Sequence, residues 1–570
     1  MSSEEIKNTA WKFALRNAIQ FNGRAQEKAV LGKVIASLKK EGINPRDIIP
    51  VVSQIVSEVN KLPIEEQRRL LEETAPELLQ KEKKTREPVL PPLPNAEEGK
   101  VVTRFPPEPN GYLHIGHAKA AIIDYEYARM YNGRFILRFD DTNPEKDKLE
   151  FYDAQRDDLK WLGLEWDEEY NTSDNLPKHY SLAEQLIKQG DAYVCTCSQE
   201  EIKRNRQTRM ACSCRKRSVD ENLELWREMH NSLENCVLRL KGDMKSDNTA
   251  MRDPTLFRII DTPHPIQGDR YRVWPTYDFA GAVEDSLSGV THPFRTKEYE
   301  LRDECYFYLL DKLGLRKPYL QEFARLSIKG MPISKRKINP LIKKGLVSGF
   351  DDIRLPTLGG LRRRGFTPEG IRNFVISQGV SKTESTVSFS LLEAANRKII
   401  DPVARRFFFV KEPVKVFVEN APTRAQTIPY HPSNKSLGAR VIHTDKTFYI
   451  PMEDAERLEI GDVFRLKDLF NIRVVDRNKI IQGEYIGEEL LSEAPRIQWV
   501  TDRNADVTIL IPHSLFIEDK YNPSSLEEIH GLAEEAITTT RDGEVIQFER
   551  FGFIRIEHSD GKIIGFYTHR

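Results

Sequence analysis

The chain has 570 residues, 39% of them hydrophobic and 30% charged, with a formal net charge of −1. That length holds about three to five domains, and no apolar run is long enough to span a membrane. The near-zero charge balance excludes a globally basic nucleic-acid binder, so any polyanion must meet a local patch. The N-terminal Met1-Ser2-Ser3-Glu4-Glu5 has neither the basic nor the apolar stretch of a secretory signal, so a cytoplasmic location is expected.

Residues 1–79 read as a helical N-terminal extension, with Val34, Ile35, Leu38, Ile48, Val52, Ile55 and Val59 at helix-compatible spacings. Residues 80–100 carry Lys-Glu-Lys-Lys and then Pro88, Pro91, Pro92 and Pro94, the composition of a linker. From 101 to 190 strands alternate with helices: Val101–Phe105, a helix from Ile115, Arg134–Phe139, and a helix through Trp161. This βαβ order predicts a parallel sheet.

Between the first strand and the first helix lies Arg104-Phe105-Pro106-Pro107-Glu108-Pro109-Asn110-Gly111-Tyr112-Leu113-His114-Ile115-Gly116-His117. A strand exit, a Pro/Gly turn and a helix entry aim backbone N–H groups, a positive helix end and two imidazoles at one point, which suits phosphate. Packing or helix capping is the plainer alternative for such histidines. The next strand ends in Leu137-Arg138-Phe139-Asp140-Asp141-Thr142-Asn143-Pro144. Carboxylates at a strand's carboxyl end face the ligand crevice of an open parallel sheet, and an ammonium is the natural partner. Capping by Asp141 or Thr142 is compatible with that role.

Residues 191–270 interrupt the pattern and contain Cys195-Thr196-Cys197 and Cys212-Ser213-Cys214. In a chain expected to be cytoplasmic, four clustered cysteines read first as a tetrahedral Zn²⁺ site, with reduced thiols in an ordinary insertion as the alternative. Cys236 and Cys305 are isolated and read as core residues.

The α/β pattern returns over 271–330, with Tyr277-Asp278-Phe279-Ala280 and then Thr291-His292-Pro293-Phe294-Arg295-Thr296-Lys297-Glu298. An arginine at the crevice can hold a carboxylate bidentately. Residues 331–405 are mostly helical after Leu326-Ser327-Ile328-Lys329-Gly330-Met331-Pro332-Ile333-Ser334-Lys335-Arg336-Lys337. Lysine in a flexible loop is a point charge able to follow a phosphate as charge develops on it. Residues 406–570 are rich in short strands, and Asp560-Gly561 is a hairpin signal. One or two β-barrels are expected there.

The string from Arg104 to His117 matches the "HIGH" signature of class I aminoacyl-tRNA synthetases, and Ile333-Ser334-Lys335-Arg336 resembles their second, "KMSKS", signature, with Pro332 where a lysine is usual. Together with Arg138-Phe139-Asp140-Asp141-Thr142-Asn143-Pro144, they make the chain resemble the glutamyl/glutaminyl group from about residue 5 to its end. The helical extension and Asp401–Val410 resemble the archaeal-type glutamyl-tRNA synthetases. Arg295 stands where glutamyl enzymes resemble one another in having an arginine for the substrate's side-chain carboxylate and glutaminyl enzymes have a small uncharged residue. A buried guanidinium facing neutral glutamine would lack its counter-charge.

The resemblance implies a Rossmann-type catalytic domain carrying an inserted acceptor-stem-binding domain, a helical connecting domain and a C-terminal β-barrel anticodon-binding region. It implies ATP as substrate with Mg²⁺, L-glutamate, tRNA(Glu), with tRNA(Gln) as an open second acceptor, and Zn²⁺ on Cys195, Cys197, Cys212 and Cys214 in some family members. His114, Gly116, His117 and Lys335 would hold the ATP phosphates, and Glu298, Arg325 and Leu326 the adenosine. Arg104, Asp140, Tyr277 and Arg295 would hold the amino acid, with Asp140 on the ammonium. Glutaminyl-tRNA synthesis, nucleotidyl transfer without tRNA, and non-catalytic tRNA binding are the competing readings. A monomer is the default expectation.

Overall fold

The structure is a computed structural model that describes residues 3–21, 23–38, 45–75, 90–329, 331, 335–383, 385–518 and 520–570. The chain divides into two compact units, Met1–Glu87 and Pro88–Arg570. The first holds four helices: α1 (Ser3–Gln20), α2 (Glu27–Leu38), α3 (Pro45–Val59) and α4 (Ile64–Thr74). Ala10, Ala14, Leu15, Val30, Val34, Ile48, Val52, Val59 and Leu71 form its core. Gln67 is buried at its centre and donates to the carbonyls of Gly23, Val59 and Leu62, each at 2.9 Å, which satisfies loop oxygens that burial would otherwise leave bare.

In the second unit, β1 (Val102–Phe105), α5 (Ile115–Met130), β2 (Arg134–Phe139), α6 (Leu149–Trp161) and β3 (Glu168–Asn171) form a parallel β1-β2-β3 sheet. After α7 (Leu176–Lys188) come β4 (Ala192–Cys195), α8 (Gln199–Thr208), α9 (Val219–Asn231), β5 (Val237–Leu240), β6 (Thr255–Ile259) and β7 (Val273–Pro275). Those four strands make an antiparallel sheet in the order β4-β5-β6-β7, inserted between the two α/β stretches. Cys236 and Cys305 are buried in the core beneath it, as their isolation predicts.

The parallel pattern resumes with α10 (Tyr277–Leu287), β8 (Phe294–Thr296), α11 (Asp303–Leu313) and β9 (Gln321–Phe323), and β8 pairs β9 in parallel. The backbone N–H of Thr291 donates to the Val102 carbonyl at 2.9 Å, which sets the run into β8 beside β1. The two halves of the parallel sheet therefore meet across the insertion. Then follow β10 (Leu326–Ile328), α12 (Lys335–Lys343), α13 (Leu358–Arg364), α14 (Pro368–Gln378), β11 (Ser385–Val387) and α15 (Phe389–Ile400).

The expected linker differs from what is observed over its second half; residues 80–89 lie outside the described residues. Residues 90–100 are fastened to the core of the parallel-sheet region. Leu90 and Leu93 are buried in it, Tyr127 Oη donates to the Pro91 carbonyl at 2.9 Å, and the Leu93 N–H donates to Tyr131 Oη at 2.8 Å. Proline richness marks extended backbone, and extended backbone can lie along a surface as readily as it can bridge two domains.

After residue 405 the chain enters a seven-stranded sheet with Arg406–Phe407 and Phe409–Lys411, leaves to build a six-stranded sheet over Pro413–Ile497, and returns to complete the first with Asn504–His569. Each sheet has its own apolar core. Asp560 and Gly561 have φ of 49° and 75°, the left-handed pair that a two-residue hairpin requires between Gly552–Ser559 and Lys562–His569. The Arg440 guanidinium donates to both oxygens of Glu534 at 2.7 and 3.2 Å, fully buried, and so ties the ribbon Arg424–Pro429/Ala439–Thr444 to the seven-stranded sheet.

Replacing Arg440 by Met should therefore cost about 3–5 kcal/mol, because Glu534 is left buried without its counter-charge, whereas Arg440→Met with Glu534→Leu should recover most of the loss. Guanidinium unfolding followed by Trp499 fluorescence measures both.

Candidate active site

The turn after β1 delivers His114 to the N-cap of α5. Its Nδ1 accepts from the N–H groups of Gly116 at 3.1 Å and His117 at 3.3 Å, and His117 Nδ1 accepts from the His114 N–H at 3.4 Å. This reciprocal cap stacks the two rings 3.7 Å apart at 15°. In a neutral imidazole whose Nδ1 accepts, the proton sits on Nε2. The capping alternative and the phosphate reading thus describe two ends of the same rings: Nδ1 holds the helix while Nε2–H is a donor. A second strap fixes the turn: the Ile115 N–H donates to the Pro356 carbonyl at 2.9 Å, and the Leu358 N–H to the Leu113 carbonyl at 3.0 Å.

Beside the turn lies a buried charge network. Asp285, on α10, accepts from Arg104 Nε at 2.9 Å and Nη2 at 3.1 Å, from Arg138 Nη1 at 2.8 Å and from Tyr306 Oη at 3.0 Å. Burial alone would raise this carboxyl, but the two guanidinium charges outweigh it and hold Asp285 down at about 2. Arg104 also donates to the Phe294 carbonyl at 2.9 Å. Three of its N–H groups are thus directed at protein acceptors. Arg138 turns Nε to Asp140 Oδ1 at 2.8 Å, and Thr172 Oγ1 donates to the same oxygen at 2.9 Å. Asp140 keeps 14% of its side chain exposed.

Sequence reasoning named Arg104 and Asp140 but missed Arg138, Asp285 and Tyr306. A signal existed: Arg138 is a charged residue inside the otherwise apolar Phe135–Phe139, and Glu284-Asp285 falls on the buried face of α10.

Arg295, on β8, is 5% exposed. Its guanidinium lies 5.5 Å from the ring centre of Tyr277, 5.3 Å from Tyr299 and 5.2 Å from Tyr306. Nη1 donates to Asp303 Oδ1 at 3.3 Å, and the buried Nε has no hydrogen-bond partner among the described residues. Aromatic faces attract the cation but accept no directed hydrogen bond from Nε. The arrangement suits a planar anion.

The residues expected around adenosine lie apart in character. Glu298 and Arg325 pair with each other on the surface at 3.0 Å, about half exposed, while Leu326 is buried in β10. Lys335 begins α12, but its side chain and residues 332–334 lie outside the described residues.

The four clustered cysteines converge. Cys195 ends β4, and Cys212 and Cys214 flank the start of a short 3-10 turn. Their sulfurs and that of Cys197 all lie within 4.8 Å of one another, with Cys195–Cys212 at 3.8 Å and Cys197–Cys214 at 3.9 Å. A disulfide needs about 2.05 Å. A tetrahedron of sulfurs with metal bonds of about 2.3 Å has edges of about 3.8 Å. Arg239 Nη1 donates to Cys195 Sγ at 3.8 Å, a counter-charge for thiolate. The donor set and its dimensions fit Zn²⁺.

Comparison with known proteins agrees with this geometry. The profile of "tRNA synthetases class I (E and Q), catalytic domain" matches residues 100–402, and two profiles of the anti-codon binding domain of the same family match 404–488 and 496–557. The chain is 46% identical over its whole length to the full glutamate–tRNA ligase of Nitrosopumilus maritimus. It is 41% identical to that of Pyrococcus furiosus, covering 99% of this chain and 100% of the relative. A solved glutamate tRNA ligase from Elizabethkingia meningosepticum, in complex with its amino acid, is 22% identical with a TM-score of 0.40, over 54% of this chain and 70% of that one. The chain belongs to the class I tRNA synthetases of the glutamyl and glutaminyl family.

Asp285→Asn should destabilise the catalytic unit by about 3–5 kcal/mol, since two buried guanidiniums lose their shared counter-charge. Because the Asp285 carboxyl sits below its unfolded value, its contribution is present above about pH 4 and is lost as pH falls through about 2. Acid unfolding of wild type beside the variant should show the gap close over that range.

Proposed function

We propose that this chain is an ATP-dependent glutamate–tRNA ligase. The observation that carries the choice of amino acid is Arg295: a guanidinium 5% exposed, caged by three tyrosines, with a buried Nε that has no partner among the described residues. Glutamate's side-chain carboxylate supplies the missing acceptor and charge; glutamine's amide supplies no charge. Curated relatives at 40–46% identity carry the name glutamate–tRNA ligase, which supports the same reading.

In the first step an α-carboxylate oxygen of glutamate attacks the α-phosphorus of ATP. A P–O bond forms, the bond to the β-phosphate breaks, and pyrophosphate leaves with the electron pair. In the second step the terminal adenosine hydroxyl of tRNA attacks the glutamyl carbonyl, AMP leaves, and the hydroxyl proton passes to solvent. The chemistry calls for no side-chain nucleophile. The Nε2–H groups of His114 and His117, the α5 N-terminus with Gly116, and Lys335 meet phosphate charge as it develops. Asp140 receives the ammonium, Tyr277 lines the side-chain pocket, and Arg104 acts through Asp285 on the pocket floor. Glu298, Arg325 and Leu326 border the adenosine. ATP arrives with Mg²⁺. The matched anti-codon binding domains favour a tRNA partner over tRNA-independent nucleotidyl transfer. Among the described residues no helix is long and apolar enough to cross a membrane.

Pyrophosphate exchange should depend on glutamate, with glutamine far weaker. Arg295→Cys should lower kcat/KM for glutamate roughly thirtyfold to several-thousandfold, the equivalent of about 2–5 kcal/mol, with little change in KM for ATP. A wild type that prefers glutamine would overturn the assignment. Charging of purified tRNA(Glu) and tRNA(Gln) settles the acceptor.

Cys195, Cys197, Cys212 and Cys214 would hold one Zn²⁺, a structural ion pinning the loop after β4 to the turn before α9. Elemental analysis should find about one zinc per chain. A strong chelator should release it and lower the melting temperature, and Cys212→Ser should reproduce both effects. Metal-free protein of unchanged stability would remove the proposal.

A further inference from the structure

The amino-acid pocket contains a pair of carboxyls that the reaction does not use. Arg295 on β8 and Glu322 on β9 are register partners in a parallel pairing, so they stand side by side. Asp303, the first residue of α11, reaches Arg295 Nη1 at 3.3 Å, so it stands on the guanidinium that Glu322 flanks, close enough that the Glu322 carboxylate raises the Asp303 carboxyl. Glu322 is 4% exposed at its side chain and forms an ion pair with Lys382. Its other oxygen, Oε1, is buried with no donor to accept from among the described residues. Two ionised carboxylates brought together beside one guanidinium repel each other, and a single proton between them relieves that repulsion.

We propose that Asp303 and Glu322 are a proton-sharing counter-ion pair for Arg295, so that glutamate enters this pocket together with a proton. This rests on Arg295 being the glutamate site. Asp303 is then a positioning residue, acting through Arg295. With both carboxyls ionised, Asp303 already neutralises Arg295, and an incoming carboxylate adds negative charge beside two others. With the shared proton in place, Arg295 is left with net positive charge for the substrate.

The surroundings agree. The charged groups on the pair are Arg295 from β8 and Lys382 after α14, while Tyr277, Tyr299 and Tyr306 face the Arg295 guanidinium. Glu300 reaches the pair only through Lys382, at 3.5 Å, and is half exposed. Tyr306 is committed to Asp285 at 3.0 Å, and Asp278 to Arg302. No described neighbour other than Arg295 and Lys382 brings a positive charge directly onto the pair. Burial raises the Asp303 carboxyl, Arg295 pulls it down and Glu322 pushes it up again, leaving it at about 6. A bound carboxylate raises it further, so uptake occurs above about pH 6. Well below that value the proton is already present, and well above it the pair stays ionised even with glutamate bound.

The test is calorimetric titration of L-glutamate into the full-length protein near pH 6.5, in buffers of different ionisation enthalpy, together with the pH profile of KM for glutamate in pyrophosphate exchange. If the protonated pair binds glutamate about tenfold tighter, binding should take up about half a proton, and KM should fall by up to about tenfold from pH 8 to pH 5.5. Asp303→Asn, which mimics the protonated state, should give no uptake and a flat profile. Glu322→Gln should do the same by an independent route, while Asp303→Glu should restore the slope. Glutamate binding without proton uptake in the wild type overturns the inference while leaving Arg295 as the glutamate site. Undiminished uptake in Asp303→Asn also overturns it. A KM for glutamate that is insensitive to Arg295→Cys overturns the site assignment itself.

Discussion

The catalytic unit depends on one buried carboxylate. Asp285 accepts from two guanidiniums and a phenol, and its three partners come from β1, β2 and α11 while it sits on α10. Taking an ion of each sign out of water is costly, and the cost is offset only when nearly every lone pair finds a donor at good geometry. Asp285 meets that condition with four hydrogen bonds. The result fixes the two halves of the parallel sheet to each other across an insertion of four strands. It also orients Arg138, whose remaining donors position Asp140 at the carboxyl end of β2. The crevice is thus shaped from below by charges that face one another.

Above that floor the site is built in two chemistries. Toward the α5 N-terminus, half-buried imidazoles and a helix end offer neutral donors and a partial positive charge. Toward β8, a full positive charge is held among aromatic faces. Tyrosine rings stabilise a guanidinium without competing for its hydrogens, so Arg295 can be buried and still keep a donor for a ligand. Asp303, at a long 3.3 Å contact, is the weak counter-ion that such a cation needs when the pocket is empty. A short bidentate carboxylate in that place would have closed the pocket to a second one.

The appended modules follow from the same constraint of closure. The insertion is small, and a cluster of four sulfurs replaces part of the apolar core it cannot provide for the loop after β4. Most of the C-terminal strands fall into two large sheets, each with its own core, because the chain leaves the first sheet after Phe409–Lys411 and returns only at Asn504. The buried Arg440–Glu534 pair ties the ribbon Arg424–Pro429/Ala439–Thr444 to the seven-stranded sheet.

The sequence by itself determined what is local. Hydrophobic spacing marked Arg134–Phe139 and the helix through Trp161, and Asp560-Gly561 marked its hairpin, because side-chain period and φ preference are properties of a few adjacent residues. The His114–His117 turn, the convergence-prone cysteines and the charge at Arg295 were legible for the same reason or through resemblance. Tertiary structure alone decided which charges face one another inside the protein. Arg104 looks like a substrate ligand in one dimension, yet its guanidinium is turned to Asp285, 181 positions away. The Arg295 Nε, without a partner among the described residues, and the gathering of Asp303 and Glu322 around Arg295 arise only once β8, β9 and α11 are in register. Coulomb energy and desolvation depend on distance in space and exclusion of water, and neither is written in the order of residues along the chain.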